Sequence, residues 1–159
     1  MKKWKPPAEG LPNIYDRLVE GLAYPHFFQL IHIAGYEDYL REGALTLFVP
    51  VENTIDYISP ETLAIVEKAL KDEKLAKEIL ENHIVEEPIT LKEMLDIKEL
   101  TTLSGIKISV DVECHIREDY EFLIDNACYV NAKIQNNKIE TANIVCYNGF
   151  IHTIKGIII

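Results

Sequence analysis

The hydrophobic residues in the first part of this chain recur with the period of an α-helix. Apolar residues spaced four apart predict a first helix over residues 13–23. Pro25 suits the first turn of a second helix, which is expected to end at Gly35. Residues 36–40 are expected to form a short turn that leads to Gly43. The first quarter of the chain is therefore predicted to be mainly helical.

Three further helices are predicted from residues that commonly cap a helix. Ser59-Pro60 indicates the start of one helix, and Asp72 indicates the start of the next. Thr90 and Glu93 have the spacing of a capping box, so a short helix is expected to end near Leu95.

After residue 97 the apolar residues recur with the period of β-strands. One earlier strand, which is buried, is predicted over residues 45–49. Apolar and polar residues alternate over residues 106–113, which predicts a strand with one exposed face. Asn136-Asn137 is expected to form a hairpin turn, and Asn148-Gly149 a second turn before a final apolar strand. Helices followed by antiparallel strands predict a single α+β domain.

Composition and charge narrow the range of functions. The 159 residues are 48% hydrophobic and 26% charged, with a formal net charge of −10. This balance argues against nucleic-acid binding, because phosphate contacts need a basic surface. Residues 46–104 alone carry a net charge of −7, so the acidity is concentrated in the middle of the chain. An acidic bias by itself indicates solubility rather than a function.

The apolar segments of the chain are too short for membrane insertion. No stretch approaches the roughly 20 apolar residues of a membrane-spanning helix. The basic start, Met1–Pro7, is not followed by the apolar core of a signal peptide. The sequence therefore predicts no membrane span and two alternatives for its compartment, an unexported protein or a mature form without its leader.

Cysteine and histidine residues give no clear prediction of a reactive site. The three cysteines (Cys114, Cys128, Cys146) are either three buried thiols, which is the preferred interpretation, or one disulfide and one thiol. Their spacing lacks the close pairs that zinc sites usually show. Cys114 and His115 are adjacent on a predicted strand, so their side chains point to opposite faces and cannot act together. We predict no metal and no cofactor.

Paired acidic residues are the remaining candidates for catalysis. Glu86-Glu87 and Glu118-Asp119 are immediate neighbours in polar turns, and nothing nearby fixes their geometry. The phosphate-binding and nucleophile motifs rich in glycine are absent from the sequence. The chain is therefore predicted not to be an enzyme.

Five short motifs, taken in order, resemble those of one protein family. Thr46-Leu47-Phe48-Val49-Pro50 is similar to the first signature of fasciclin domains, and Asn148–Ile154 is similar to the second. Ile79–Val85 resembles the Leu-x-x-Tyr-His-Val-Val segment of that family. Thr102–Gly105 and Val130–Ala132 match two further motifs. The resemblance covers residues 11–159, which leaves residues 1–10 as a predicted N-terminal extension.

The resemblance implies a β-sandwich or wedge of mainly antiparallel strands, with helices packed at one edge. It also implies a non-enzymatic adhesion or interaction module at a cell surface, a monomer that binds a protein or glycan partner. In the family, the matching motif residues have structural roles: Thr46, Phe48, Pro50, His83, Gly105, Asn148, Gly149 and His152.

This sequence departs from the family at positions used for integrin recognition in animal members. Asn82 replaces the tyrosine beside the motif histidine, and Asn143 replaces an aspartate before Ile144. Integrin binding of the animal type is therefore not expected, since an amide cannot replace a carboxylate at equal strength. Candidate partner-binding residues are Asn82, Glu86, Glu87, Asn143 and Ile144. The alternative function is an intracellular accessory subunit of a larger complex, with a cytoplasmic location and reduced cysteines.

Overall fold

The structure is a computed structural model that describes residues 10–116 and 128–159. Most of the predicted N-terminal extension and the Glu118-Asp119 pair lie outside these residues. The side chains of Cys114, His115 and Cys128 also lie outside the described part of the chain.

The described residues form six α-helices, seven strands and one short 3₁₀ helix. The helices are α1 (Ile14–Val19), α2 (Pro25–Ala34), α3 (Glu37–Glu42), α4 (Pro60–Ala69), α5 (Glu73–Glu81) and α6 (Leu91–Met94), and the 3₁₀ helix is Thr54–Tyr57. The strands are β1 (Leu45–Pro50), β2 (Ile84–Val85), β3 (Glu99–Thr101), β4 (Lys107–Ile116), β5 (Cys128–Ile134), β6 (Asn137–Cys146) and β7 (Gly149–Lys155).

The predicted helix starts in the acidic middle of the chain are confirmed. The Ser59 side chain accepts a hydrogen bond from the backbone of Thr62 and begins α4. Asp72 caps α5 in the same way. Thr90 and Glu93 form the reciprocal hydrogen bonds of a capping box at α6. These positions were predictable because a cap depends only on residues within one helical turn.

Two local predictions are wrong. Residues 36–40 belong mostly to a helix, α3, rather than to a turn. The Asp38 carboxylate pairs with Arg41 one turn later at 2.8 Å, which supports that short helix. The hairpin turn is Gln135-Asn136, both with positive φ, and Asn137 already begins β6.

The strands form one mixed sheet in the order β2-β1-β7-β6-β5-β4-β3. The β1 and β7 strands run parallel, whereas the other neighbouring strands are antiparallel. The backbone N–H of Leu103, beyond β3, donates to the carbonyl of Ile84 in β2 at 2.8 Å and brings the two ends of the sheet together. The α+β class is confirmed, but the sheet is single and nearly closed rather than a sandwich of two facing sheets.

Two apolar cores lie on opposite faces of this sheet. Alternate residues of β1 point to different cores, so Leu47 packs with the helices while Phe48 packs inside the nearly closed sheet. All six residues of β1 are buried, because the strand lies between the two cores.

The turn before β7 contacts the start of β1. The Asn148 amide nitrogen donates to the carbonyls of Leu40 and Gly43 at 2.8 and 2.7 Å, and its oxygen accepts from the backbone of Ile14 at 2.9 Å. At the next position, a Cβ on Gly149 would lie 1.8 Å from the backbone oxygen of Leu45. Only glycine therefore permits this approach of the two strands.

Replacing Gly149 with alanine is expected to lower the free energy of unfolding by about 3 kcal/mol or more, because β1 and β7 must separate. Chemical denaturation would measure the loss. Gly105→Ala is the matched control, since Gly105 has a φ of +91° but no atom within 4 Å of the added carbon. It should cost only the backbone penalty of about 1–2 kcal/mol. Equal losses in the two variants would contradict the close contact at Gly149.

Candidate functional site

The candidate partner-binding residues lie on or next to one segment, residues 86–91. Glu86 and Glu87 begin this segment, and Asn143 lies beside its other end. Val85 in β2 pairs with Thr46 in β1, which places Glu86 and Glu87 at the end of the sheet. The Asn143 side-chain oxygen accepts a hydrogen bond from the backbone of Leu91 at 2.8 Å. The fold therefore connects Asn143 to the same segment that begins with Glu86 and Glu87.

Thr46 fixes the path of the chain after Glu86. Its hydroxyl donates to the carbonyl of Glu87 at 2.7 Å and accepts from the backbone N–H of Ile89 at 2.7 Å. Thr46 itself is fully buried in β1. The one buried hydroxyl thus acts as donor and as acceptor, and both hydrogen bonds hold this segment in place.

His152 connects the same segment to a bulge in β6. One ring nitrogen, Nε2, lies 2.8 Å from the carbonyl of Ile89, and Nδ1 accepts from the backbone N–H of Asn143 at 3.0 Å. This pattern requires a neutral ring with its proton on Nε2. Burial lowers the pKa of His152, although its hydrogen bond to Ile89 opposes that shift. Asn143 has a φ of +58°, which asparagine tolerates better than most residues.

His83 uses the same arrangement at the end of α5. Its Nδ1 donates to the carbonyl of Ile79 at 2.8 Å, and its Nε2 accepts from the backbone N–H of Ile158 at 2.9 Å. The Phe27 ring packs edge-on against it at 4.9 Å. Burial lowers the pKa of His83 to about 4, and the hydrogen bond to Ile79 only partly offsets this. The ring is therefore neutral near pH 7 and links the helix to the chain terminus.

The candidate partner-binding residues differ in their access to solvent. Asn82 is only 7% exposed, and its side-chain oxygen accepts from the Ser104 hydroxyl at 2.6 Å. Its side chain thus faces the interior, and the expectation that it contacts a partner stays a prediction. Ile144 is half-buried against the helical core. Glu86, Glu87 and Asn143 are exposed.

A group of residues beside this surface was missed from the sequence. The Tyr36 hydroxyl donates to the Glu81 carboxylate, and the Tyr36 and Tyr39 rings lie 5.5 Å apart. Burial and the nearby charges of Glu86 and Glu81 raise the pKa of Tyr39, and burial followed by Glu81 raises that of Tyr36. We call Tyr36, Tyr39, Glu81 and Glu86 the tyrosine–glutamate cluster.

The sequence shows the spacing of Tyr36 and Tyr39 but not that their side chains lie together. Tyr36 and Tyr39 are three residues apart, which places them near one another only if the segment is helical. Because residues 36–40 were interpreted as a turn, that face was not recognised.

The described residues give no support for a metal site or a reactive thiol. Within residues 10–116 and 128–159, no three His, Cys, Asp or Glu side chains group closely enough to hold a metal ion. Cys146 is buried as a free thiol, and burial raises its pKa to about 11. A groove of about 450 Å³ between Gly21-Leu22, Val51–Asn53 and Glu140-Thr141 contains none of the candidate residues. The exposed carboxylates can instead accept hydrogen bonds from a bound partner.

The chain belongs to the fasciclin domain family, because the family model of the fasciclin domain matches residues 23–159. A solved pair of fasciclin domains from the insect cell adhesion molecule Fasciclin I is similar, with a TM-score of 0.71 and 17% sequence identity. The alignment covers 93% of this chain and 51% of that chain, so this chain spans about half of the pair. At this identity the likeness shows the fold. No curated protein sequence matches the chain.

The predicted domain boundary at residue 11 stays a prediction, since the family match begins at residue 23. In the described part of the chain, every helix is too short or too polar to cross a membrane.

Acidification is expected to destabilise the fold through His83. The pKa of histidine is about 6.5 in the unfolded chain and about 4 for His83 in the folded protein. The contribution of the neutral ring to the free energy of unfolding is therefore complete above pH 6.5 and is lost as the pH falls towards 4. Between pH 7 and 5 this loss should be about 2 kcal/mol. His83→Ala should be less stable at pH 7 and should lose correspondingly less on acidification, as measured by urea denaturation at both pH values. If the free energy of unfolding fell equally in both proteins between pH 7 and 5, His83 would not be the titrating group.

Thr46→Val should cost about 1–3 kcal/mol, because the carbonyl of Glu87 and the N–H of Ile89 lose their shared partner. Hydrogen exchange at the Ile89 amide should accelerate. Thr54→Val is the matched control, since the buried Thr54 hydroxyl has no hydrogen-bond partner among the described residues. It should be neutral or slightly stabilising. A Thr46 variant as stable as this control would contradict the proposed anchoring.

Proposed function

We propose that this chain is a non-enzymatic adhesion or interaction module whose contact surface includes Glu86, Glu87 and Asn143. Fasciclin domains are generally known for roles in cell adhesion and interaction. The observation that carries the proposal is that Glu86 and Glu87 are exposed on a segment whose backbone is held at Thr46 and His152. A segment whose backbone is already held suits recognition, because that backbone loses little conformational entropy on binding.

The carboxylates of Glu86 and Glu87 have no role in the ion pairs that support the fold of the described residues. Neither Glu86 nor Glu87 forms an ion pair with any residue in the described part of the chain. They also belong to the segment 46–104 with its net charge of −7. Unpaired acidic groups on one surface attract a partner of opposite charge and increase its rate of association.

The proposed location is the cell surface, where fasciclin domains typically occur. We propose a monomer that binds a protein or a glycan. The intracellular accessory subunit remains the alternative, and the thiols separate the two. Cys146 is a free thiol in the structure. Three free thiols in protein from its native source would favour the intracellular subunit, whereas a disulfide between the other two cysteines would favour export.

Adhesion can be tested with beads coated with the purified chain and mixed with cells of the organism that encodes it. The coated beads should retain cells, and Glu86→Lys/Glu87→Lys should reduce retention at least about fivefold by reversing the local charge. The melting temperature should change little, because both side chains are exposed. Prior treatment of the cells with trypsin or with periodate would identify the partner as protein or glycan.

Asp111→Lys/Glu140→Lys is the control, since it makes the same change of charge at exposed positions of β4 and β6. It should retain most of the binding. An equal loss in both variants would indicate general charge attraction and would refute this contact surface. Beads that never retain cells would refute the adhesion function.

A further inference from the structure

The tyrosine–glutamate cluster combines aromatic rings and carboxylates from three separate elements. Tyr36 and Tyr39 come from the start of α3, Glu81 from the end of α5, and Glu86 from the segment after β2. The tyrosines and Glu81 are half-buried, and Glu86 is exposed. The cluster is therefore open to solvent while its rings are held by packing against the helical core.

The carboxylates of the cluster have few close partners among the described residues. Glu81 and Glu86 form no ion pair with any described residue, and among the described residues only Oε2 of Glu81 accepts a side-chain hydrogen bond, from the Tyr36 hydroxyl. Both phenols are neutral at pH 7, because the pKa of tyrosine is ordinarily about 10 and is raised further here, so the tyrosines add no negative charge. Two carboxylates beside neutral rings attract a cation.

A cation of the chain itself already uses this attraction. The Lys77 ammonium lies 6.0 Å from the centroid of the Tyr36 ring, at the outer limit of a cation–π contact. Lys77 is exposed, so a stronger cation can replace it without disturbing the core. The neighbouring Tyr39 ring, 5.5 Å from that of Tyr36, has no cation–π contact with any described residue.

Arginine fits these groups better than lysine does. Its planar guanidinium can stack on an aromatic ring and donate two parallel hydrogen bonds to a carboxylate, whereas an ammonium acts as a point charge. A neutral glycan could donate hydroxyl hydrogen bonds to Glu81 and Glu86, but it carries no positive charge to pair with the two carboxylates. The chemistry of the cluster thus favours a protein partner with an exposed arginine over a neutral sugar.

We infer that the tyrosine–glutamate cluster binds an arginine side chain of a protein partner, stacked on Tyr39 and hydrogen-bonded to Glu86 and to the free oxygen of Glu81. This inference rests on the proposed function, because it specifies the partner of the same surface. It adds a recognition element that the sequence motifs did not include, since Tyr36 and Tyr39 lie outside all of them.

The test uses acetylated hexa-arginine, hexa-lysine and hexa-citrulline peptides as probes, titrated into the intact chain by calorimetry at low salt. Hexa-arginine should bind at least about five times more tightly than hexa-lysine, and hexa-citrulline, which lacks the charge, should not bind. Tyr39→Leu should abolish the preference for arginine over lysine, whereas Tyr39→Phe, which keeps the ring, should retain it. Glu86→Gln should weaken hexa-arginine binding several-fold.

Tyr147→Leu is the matched control, because Tyr147 is 47% exposed but lies outside the cluster. It should leave the arginine preference unchanged, and melting curves should show that every variant is folded. Equal binding of hexa-arginine and hexa-lysine, unaffected by Tyr39→Leu, would overturn the inference. So would cell retention that is abolished by periodate but not by trypsin, although the adhesion function would then still stand. Failure of the beads to retain any cells would refute the adhesion function independently of the peptide result.

Discussion

The parallel pairing of β1 with β7 is the contact on which the rest of this structure depends. Six residue pairs, from Leu45 with Gly149 to Pro50 with Ile154, join strands that are distant in the sequence. This pairing connects β2 and the helices to the other five strands of the sheet. Closing so long a loop costs entropy, which burial of β1 between two cores offsets. Asn148 and Gly149 make the approach possible at its starting point.

Two buried histidines join further segments of the chain by hydrogen bonds of their rings. Each ring donates to one backbone carbonyl and accepts from one backbone N–H, so each connects two separate segments. The neutral form is required in both, because a protonated ring could not accept. His152 thereby holds the segment that presents Glu86 and Glu87. The segment that carries the candidate contact surface is thus held by buried side chains rather than by its own exposed ones.

The sequence predicted those features that depend on near neighbours. The caps at Ser59, Asp72 and Thr90 were found because each is satisfied within one turn. The face of α3 was missed, since a short helix with no side-chain cap resembles a turn. In the candidate site, Glu86 and Glu87 could be identified as exposed from their polarity. The inward orientation of Asn82 could not, because it depends on Ser104, a distant residue.

The sequence by itself determined the α+β class, the family motifs and the acidic middle segment, because these follow from local period, residue identity and composition. Only the tertiary structure decided that the strands form one nearly closed sheet, since strand order depends on contacts between residues far apart in the chain. It also decided that Tyr36, Tyr39, Glu81 and Glu86 converge, because three elements must pack before their side chains can meet. The net charge indicated an acidic protein, and the fold placed two of its carboxylates, Glu81 and Glu86, near aromatic rings.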